Sequence, residues 1–376
     1  MERTLRHAGI LLSIFSFVIC YWPNTQIAAQ TNDLAQHYKV LPPITQDNLT
    51  IFPVVAGVSF DTSKFLTLDE GIRSGQVIVT EAGQAPGLVR PRPAQDGVWR
   101  ERPLPIPQSG ARVNELAIIN NADRPLLLIA GEIVTGGKQD RVVGKDRIIP
   151  PHGDPVALNV FCVEPHRWTG SSMQFKTPQA LMAQPSVRSK ALVHQNQEEV
   201  WNEVAKSRAA LAAKVAAPDA VAIDATSSYA GAVANGAVQR QLESISVPIE
   251  HSYGNLMQQL HSEKAVGAVV AVRGELIWAD VFASPSLLEK YWPKLVRSYA
   301  GEVFTPRGPV FVGKDYASQQ SAQKFLDHFE ANHENVETEP GIYRNTQLLG
   351  EDFDAFFLTS LLPNTGFNLH FAKMKH

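Results

Sequence analysis

The sequence predicts an α+β protein: a β-sandwich-like antiparallel core, a helical segment and a C-terminal α/β portion. Three observations carry this. Short apolar or alternating runs divided by Gly, Pro and Asn turns crowd residues 113–168. A helical apolar period follows Asn196. From Ala265 onward a strand hairpin, a helix and further strands succeed one another. The chain has 376 residues, 44% hydrophobic and 19% charged, with 25 Gly and 25 Pro, which excludes collagen-like, low-complexity and mainly disordered classes.

The N-terminus predicts a cleaved signal peptide. Arg3 and Arg6 form a positive n-region, an apolar run extends from Ala8 to about Trp22, and Ile27-Ala28-Ala29 offers small residues before Gln30. The apolar run is short for a spanning helix, so no membrane span is expected after cleavage following Ala29. Cys20 is preceded by the bulky Ile19, which does not suit lipoprotein processing. A secreted or periplasmic chain of 347 residues and formal charge −4 then remains, with Cys162 as its one thiol and no intrachain disulfide. The near-neutral balance, 37 acidic against 34 basic residues, argues against nucleic acid as a partner.

Residues 30–47 read as a flexible leader, and Val54 to Ser59 opens a strand. Leu68 to Ser74 forms one helical turn, and Gln76 to Glu81 alternates as a strand. Residues 85–112 hold six prolines and five arginines, a density that leaves only a long loop. Val113 to Ile119, Pro125 to Val134, Lys138 to Val143 and Val156 to Glu164 read as strands, with Asn120-Asn121-Ala122-Asp123 and Thr135-Gly136-Gly137 as turns. Asn196 with Glu199 resembles a capping box opening a helix that Pro218 closes. Thr226 to Glu243 is moderately helical. Ala265 to Val272 and Glu275 to Phe282 form a hairpin about Arg273-Gly274. Ser284 caps a further helix with Pro285 at its first position, and Pro293 predicts a kink or two abutting helices. A helix at 317–331 and strands near 342–349, 353–361 and 366–372 end the chain. The expected organisation is therefore a signal peptide 1–29, a leader 30–47, a β-rich domain 48–175, a helical segment 176–245 and an α/β portion 246–376 packing on the β domain.

Familiar catalytic motifs are missing. Gly131 to Lys138 fails as a phosphate loop, no G-x-S-x-G elbow or dinucleotide fingerprint occurs, and neither His-Glu-x-x-His nor zinc-spaced Cys/His appears. His328 and His333, five apart, fall on different helix faces. No metal and no cofactor are expected.

What remains is a polar constellation in the β region. Glu132 shares a strand face with Leu126, Leu128 and Ala130, and Glu164 shares one with Leu158, Val160 and Cys162. Carboxylates at such positions are costly unless paired, and Arg141 and Arg167 are natural partners. Two readings stay open: an ion-pair cluster that locks loops onto the sandwich, or a site meeting a polar ligand. Cys162 alternates with core residues, yet His166 or Arg167 nearby would lower its pKa as a nucleophile. Trp168 suits either packing or stacking on a ligand.

The runs VNELAIINNADRPLLLIAGEIVTGGKQDR, DRIIPPHG, NVFCVEPHRW and VGAVVAVRGELIWADVFASPSLLEKYWPKLVRSYA resemble the ADP-ribosylglycohydrolase- and rhodanese/phosphatase-superfamily-associated domain family over roughly residues 50 to 300. The resemblance implies proximity to ADP-ribose chemistry without an activity, and export argues against a role on the cytoplasmic NAD pool. It points at the same positions: Glu132, Lys138, Gln139, Asp140, Arg141, Cys162, Glu164, Arg167 and Trp168.

The functional expectation is an exported protein with a polar ligand site in the β domain, suited to cofactor-free hydrolysis. Glu132 or Glu164 would be the general base, Cys162 a weaker nucleophile, and Lys138, Gln139, Asp140, Arg141, Arg167 and Trp168 would bind a polar or anionic small molecule or a glycan. The alternative is a non-catalytic envelope binding or structural module.

Overall fold

The computed structural model describes residues 38–85, 114–167, 172, 174–178, 181–260, 263–306 and 317–376. The expected signal peptide, leader residues 30–37, loop residues 86–112 and Trp168 lie outside the described residues, while the rest of the expected flexible leader carries two short strands, Tyr38–Val40 and Ile44–Gln46. The architecture is α+β, with three sheets that are antiparallel except for one short parallel pairing.

The largest sheet has nine strands. Its order is β1 (Tyr38–Val40), β3 (Leu49–Ala56), β13 (Lys264–Val272), β14 (Glu275–Phe282), β18 (Asn368–Lys375), β17 (Phe353–Ser360), β16 (Tyr343–Gly350) and β15 (Ala331–Glu339), with β2 (Ile44–Gln46) beside β3. The β13–β14 hairpin forms as predicted, and Arg273 and Gly274 both take positive φ at its turn. β3 pairs with β13, and β1 and β2 pair with β3, so the N-terminal strands join the C-terminal strands rather than the β region that follows them in sequence. Alternation gives the sheet two apolar faces. Phe52, Val54, Val269, Val281 and Phe371 cluster with α8 (Gln319–Asp327) through Ala322 and Leu326. Ile51, Val55, Val270, Trp278 and Phe282 face the other way, toward α6 (Gly236–Gln259) and α7 (Pro285–Glu302). Each fully buried side chain of this size is worth about 1.5–3 kcal/mol.

Ser284 caps α7 by accepting from the Leu287 N–H, as expected, but the helix runs on through Pro293 as one element. The predicted helix at 317–331 stops at Asp327, and the polar run Ala331–Glu339 is an edge strand.

The β region forms two smaller sheets. One contains β10 (Arg147–Ile149), β7 (Leu126–Leu128) and β4 (Leu66–Thr67), which runs directly into α1 (Leu68–Arg73). The other contains β12 (Phe175–Lys176), β8 (Ile133–Gly136), β9 (Arg141–Val143), β11 (Val156–Cys162), β6 (Glu115–Asn120) and β5 (Val77–Glu81). Their inner residues, among them Leu66, Val79, Ile118, Leu128, Val143 and Leu158, share one cluster, as a sandwich-like core requires. The single strand expected from Pro125 to Val134 is broken in two. Gly131 takes φ +97° between β7 and β8, and the chain turns a corner there. Glu132 therefore sits at a bend, and the alternation placing it beside Leu126 and Leu128 does not apply.

The helical segment contains α2 (Pro185–Ser189), a π-helical turn (Lys190–His194), α3 (Gln197–Ala212), α4 (Ala217–Ala225) and α5 (Tyr229–Val233). Asn196 caps α3 by accepting from the Glu198 and Glu199 N–H groups. Glu199 turns instead to Lys190 and His194, so the cap is not reciprocal. Pro218 lies inside α4 rather than at the end of α3.

Candidate functional site

The turn after β8 and the end of β11 bring most of the singled-out residues together. Gly136 and Gly137 both take positive φ, and a Cβ on Gly137 would strike the Phe175 ring at 2.2 Å, so only glycine fits this tight turn. Behind the turn, Asp140 accepts from Ser228 Oγ (2.7 Å) and the Gly136 N–H (3.1 Å). Glu164 accepts from the Asp140 N–H (3.0 Å) and pairs with Arg167 at 2.5 Å. Arg167 also reaches Asp140 at 3.6 Å, so one guanidinium spans two carboxylates. Gln139 donates to the Glu164 carbonyl (3.0 Å), and the Lys138 N–H donates to Glu81 Oε1 (2.8 Å). The predicted pairing of Glu164 with Arg167 is present. Its hydrogen bond to Glu164 is the main reason Arg167 is held above the usual guanidinium range. Burial, reinforced by the neighbouring Glu164, pushes the Asp140 carboxyl up despite the Ser228 hydrogen bond.

Arg141 lies beneath this layer and is fully buried. Nη1 makes a long contact to the Asp140 carbonyl (3.4 Å), while Nε and Nη2 have no hydrogen-bond partner. Those two donors form the side of the guanidinium that grips carboxylates and phosphates in parallel. Glu81 Oε2 and Gln139 Oε1 are likewise buried without partners. Burial pushes the Arg141 guanidinium down, with Cys162, Glu81 and Asp140 pulling it back. Cys162 is buried, which pushes its thiol up, away from the thiolate that nucleophilic chemistry needs.

Glu132 is not part of this group. Its carboxylate meets Lys294 Nζ of α7 at 2.5 Å and accepts the Ile129 N–H at 2.8 Å. Lys294 also binds Asp69 at 2.7 Å, and all three belong to a closed ion triad. The partner expected from the sequence, Arg141 or Arg167, is thus replaced by a lysine 162 positions away. Burial raises the Glu132 carboxyl, and Lys294 opposes that rise.

A second ionic network joins the β unit, the helical segment and the large sheet. Arg188 of α2 holds Asp280 of β14 with two bonds (2.8 and 2.9 Å) and donates Nε–H to the Ala130 carbonyl (3.1 Å). Tyr299 of α7 donates to the same carboxylate. His370 of β18 lies between Asp280 (3.1 Å) and Asp146 (2.5 Å), and Asp146 accepts the Ala130 N–H (2.7 Å). Burial alone would lower the imidazole pKa, but Asp146 and Asp280 outweigh it and hold the ring at about 9. Asp280 falls well below the usual carboxylate range, because Arg188 and His370 overcome its burial. Two cations and two carboxylates therefore balance inside the protein. Sequence reasoning passed over these residues, although Asp280 in ELIWADVF carries the same signal that drew attention to Glu132: a charge within an apolar strand.

The profile of the ARPP-1 family, the ARG and Rhodanese-Phosphatase-superfamily-associated Protein domain, matches residues 37–365. The chain belongs to this family. The ARPP-1 match begins within one residue of the first described strand and takes in the Arg141 cluster, the Glu132–Lys294–Asp69 triad and Arg188, Asp280 and Asp146 of the second network, while His370 lies beyond its end. No curated protein and no solved structure matches the chain. Among the described residues, no helix is long and apolar enough to cross a membrane, and no group of three or more His, Cys, Asp and Glu is placed to hold a metal ion.

Proposed function

We propose that the protein is an exported small-molecule-binding protein whose β unit recognises an anionic group at the Arg141–Arg167 centre. The unpartnered Nε–Nη2 edge of the buried Arg141 carries this reading. A buried donor without a partner costs about 1–3 kcal/mol, more when charged, and here two lie side by side on a cation. A carboxylate or phosphate oxygen pair supplies what that edge lacks. The unpartnered acceptors of Glu81 and Gln139 add a preference for a ligand that also carries N–H or O–H groups. Where hydrolysis follows, the acid–base group is Asp140, whose carboxyl is raised by burial and stands beside Arg141 and Arg167, whereas Glu132 lies apart in its triad with Lys294 and Asp69. Glu164, fixed between Arg167 and the Asp140 N–H, orients that centre.

The test is a thermal-shift panel of sugar phosphates, dicarboxylates and nucleotides on the mature chain, repeated with Arg141→Lys. A lysine keeps the charge and loses the parallel donors, so the stabilising members of the panel should lose most of their effect. No stabilisation by any anion, or equal stabilisation of the variant, refutes the proposal.

Export rests on the N-terminal pattern of Arg3, Arg6, the apolar run and Ala28-Ala29. Mass spectrometry of protein recovered from outside the cytoplasm should find Gln30 as the first residue. An intact Met1 on that material counts against it.

The rival, a non-catalytic contact module, draws support from the closed pairing of Glu132 with Lys294 and of Glu164 with Arg167. It predicts no dependence on Arg141 geometry in the same panel.

A further inference from the structure

A separate cavity opens where the β unit meets the large sheet. Its volume is about 220 Å³, and it lies between the β9–β10 turn (Lys145, Asp146), the end of the π-helical turn (Gln195) and strands β15–β17. Asn335 pairs with Gln347 in the register, and Gln347 with Phe356, which makes one continuous row across three strands. Glu337 and Asn345 form the neighbouring row, in contact with Lys145 (2.9 Å) and the Asp146 carbonyl (2.9 Å). The junction is well fixed. Gln195 holds a left-handed backbone (φ +48°) directly after the π-helical turn, and both features concentrate at functional sites. Behind the floor stands the buried His370–Asp280–Arg188 network, which anchors Asp146 from within.

The lining chemistry narrows the occupant. Its cation, Lys145, is already spent on Glu337, so an anion finds no free positive charge among these groups. Asp146 is engaged by His370 and by the Ala130 N–H, and Glu337 by Lys145, so a cation finds little unspent negative charge. Asn335 donates to Gln347 (3.3 Å) and Asn345 to the Asp146 carbonyl (2.9 Å), which leaves each of the three amides further donors or acceptors that an apolar ligand would not meet. Amides both donate and accept, as hydroxyl groups do, and Leu192, Val336 and the half-buried Phe356 add apolar surface, the Phe356 ring offering a flat face for a ring. Drug-sized sites run to about 300–1,000 Å³, so a cavity of about 220 Å³ suits one small ring rather than a nucleotide or an oligosaccharide.

We propose that this cleft binds a single neutral polyhydroxylated ring of monosaccharide size, held by Asn335, Asn345 and Gln347 with its apolar face on Phe356. The site is independent of the Arg141 centre and shares no side chain with it.

The experiment uses the mature chain with D-glucose, D-galactose, D-mannose, N-acetyl-D-glucosamine and myo-inositol. Binding is read by saturation-transfer NMR and calorimetry, with sodium phosphate as the contrasting probe. Gln347→Ala and Asn335→Ala, both outside the core, are compared with the parent after circular dichroism shows them folded. At least one ring should bind at millimolar concentration or tighter, each variant should weaken it about tenfold, and Arg141→Lys should leave it unchanged. The proposal is overturned if no ring transfers saturation to the folded parent, if both variants bind as the parent does, or if phosphate displaces the ring.

Discussion

His370 offers a direct measure of how strongly the buried network holds the protein together. The imidazole ordinarily titrates near 6.5, and in the folded chain Asp146 and Asp280 overcome the opposing effect of burial and hold it at about 9. The gap between those values corresponds to about 3 kcal/mol. Its sign follows from linkage. The folded ring binds its proton more tightly than the unfolded one, so this contribution is complete below about pH 6.5 and is lost as the pH rises to about 9. The perturbation is His370→Gln, and the assay is urea unfolding of parent and variant at about pH 6 and about pH 9.5. Lys373, whose amine burial pushes down to about 7, tilts stability the opposite way, and subtracting the variant removes its slope. The stability advantage of the parent should be about 3 kcal/mol smaller at the higher pH. An advantage that does not change with pH would mean that His370 is uncharged in the folded state, and the balanced network would be wrong.

Three further outcomes follow from neighbouring features. Lys294→Met leaves Glu132 buried without its cation and should cost about 3–5 kcal/mol in chemical denaturation, whereas an exposed pair would cost under about 1 kcal/mol. Gly131→Ala combines a left-handed backbone with a Cβ only 2.5 Å from Arg188 Cγ, so a melting-temperature drop should accompany loss of the Arg188–Asp280 pairing; an unchanged melt removes that reasoning. Cys162 should resist iodoacetamide in the native protein and react once guanidinium unfolds it, and rapid native alkylation would reopen a thiol-dependent activity.

Much of the fold is legible in the chain because its signals are local. The capped start of α7, the hairpin at Arg273-Gly274 and the strand at Val77–Glu81 follow from two or three adjacent residues. Where the signal is distant or weak, the reading fails. Pro125 to Val134 is apolar throughout, so nothing in its pattern marks the corner at Gly131. The strand Ala331–Glu339 is largely exposed at a sheet edge, and its polar composition hides it. The candidate site divides the same way. Glu164 and Arg167 are three residues apart and find each other, whereas Glu132 and Lys294 are joined only by tertiary packing. His370 and Asp280 carry no mark beyond being charged residues on apolar strands, and only the folded sheet brings them to Arg188.

The pairing of β3 with β13 sets an order on folding. About two hundred residues separate the two strands, so a chain emerging N-terminus first cannot begin the central sheet until most of it is already made. Strands β14 and β18 extend that delay to the last residues, since β18 ends at Lys375. The β unit, whose strands lie within one stretch of sequence, has no such wait and can condense first. Assembly would then finish by docking a late sheet onto an early one, with the Asp146–His370–Asp280–Arg188 charges meeting at the closing step. A truncation that removes β18 should therefore expose the edge of β14 within the late sheet and take away His370, which meets Asp146 of the early part.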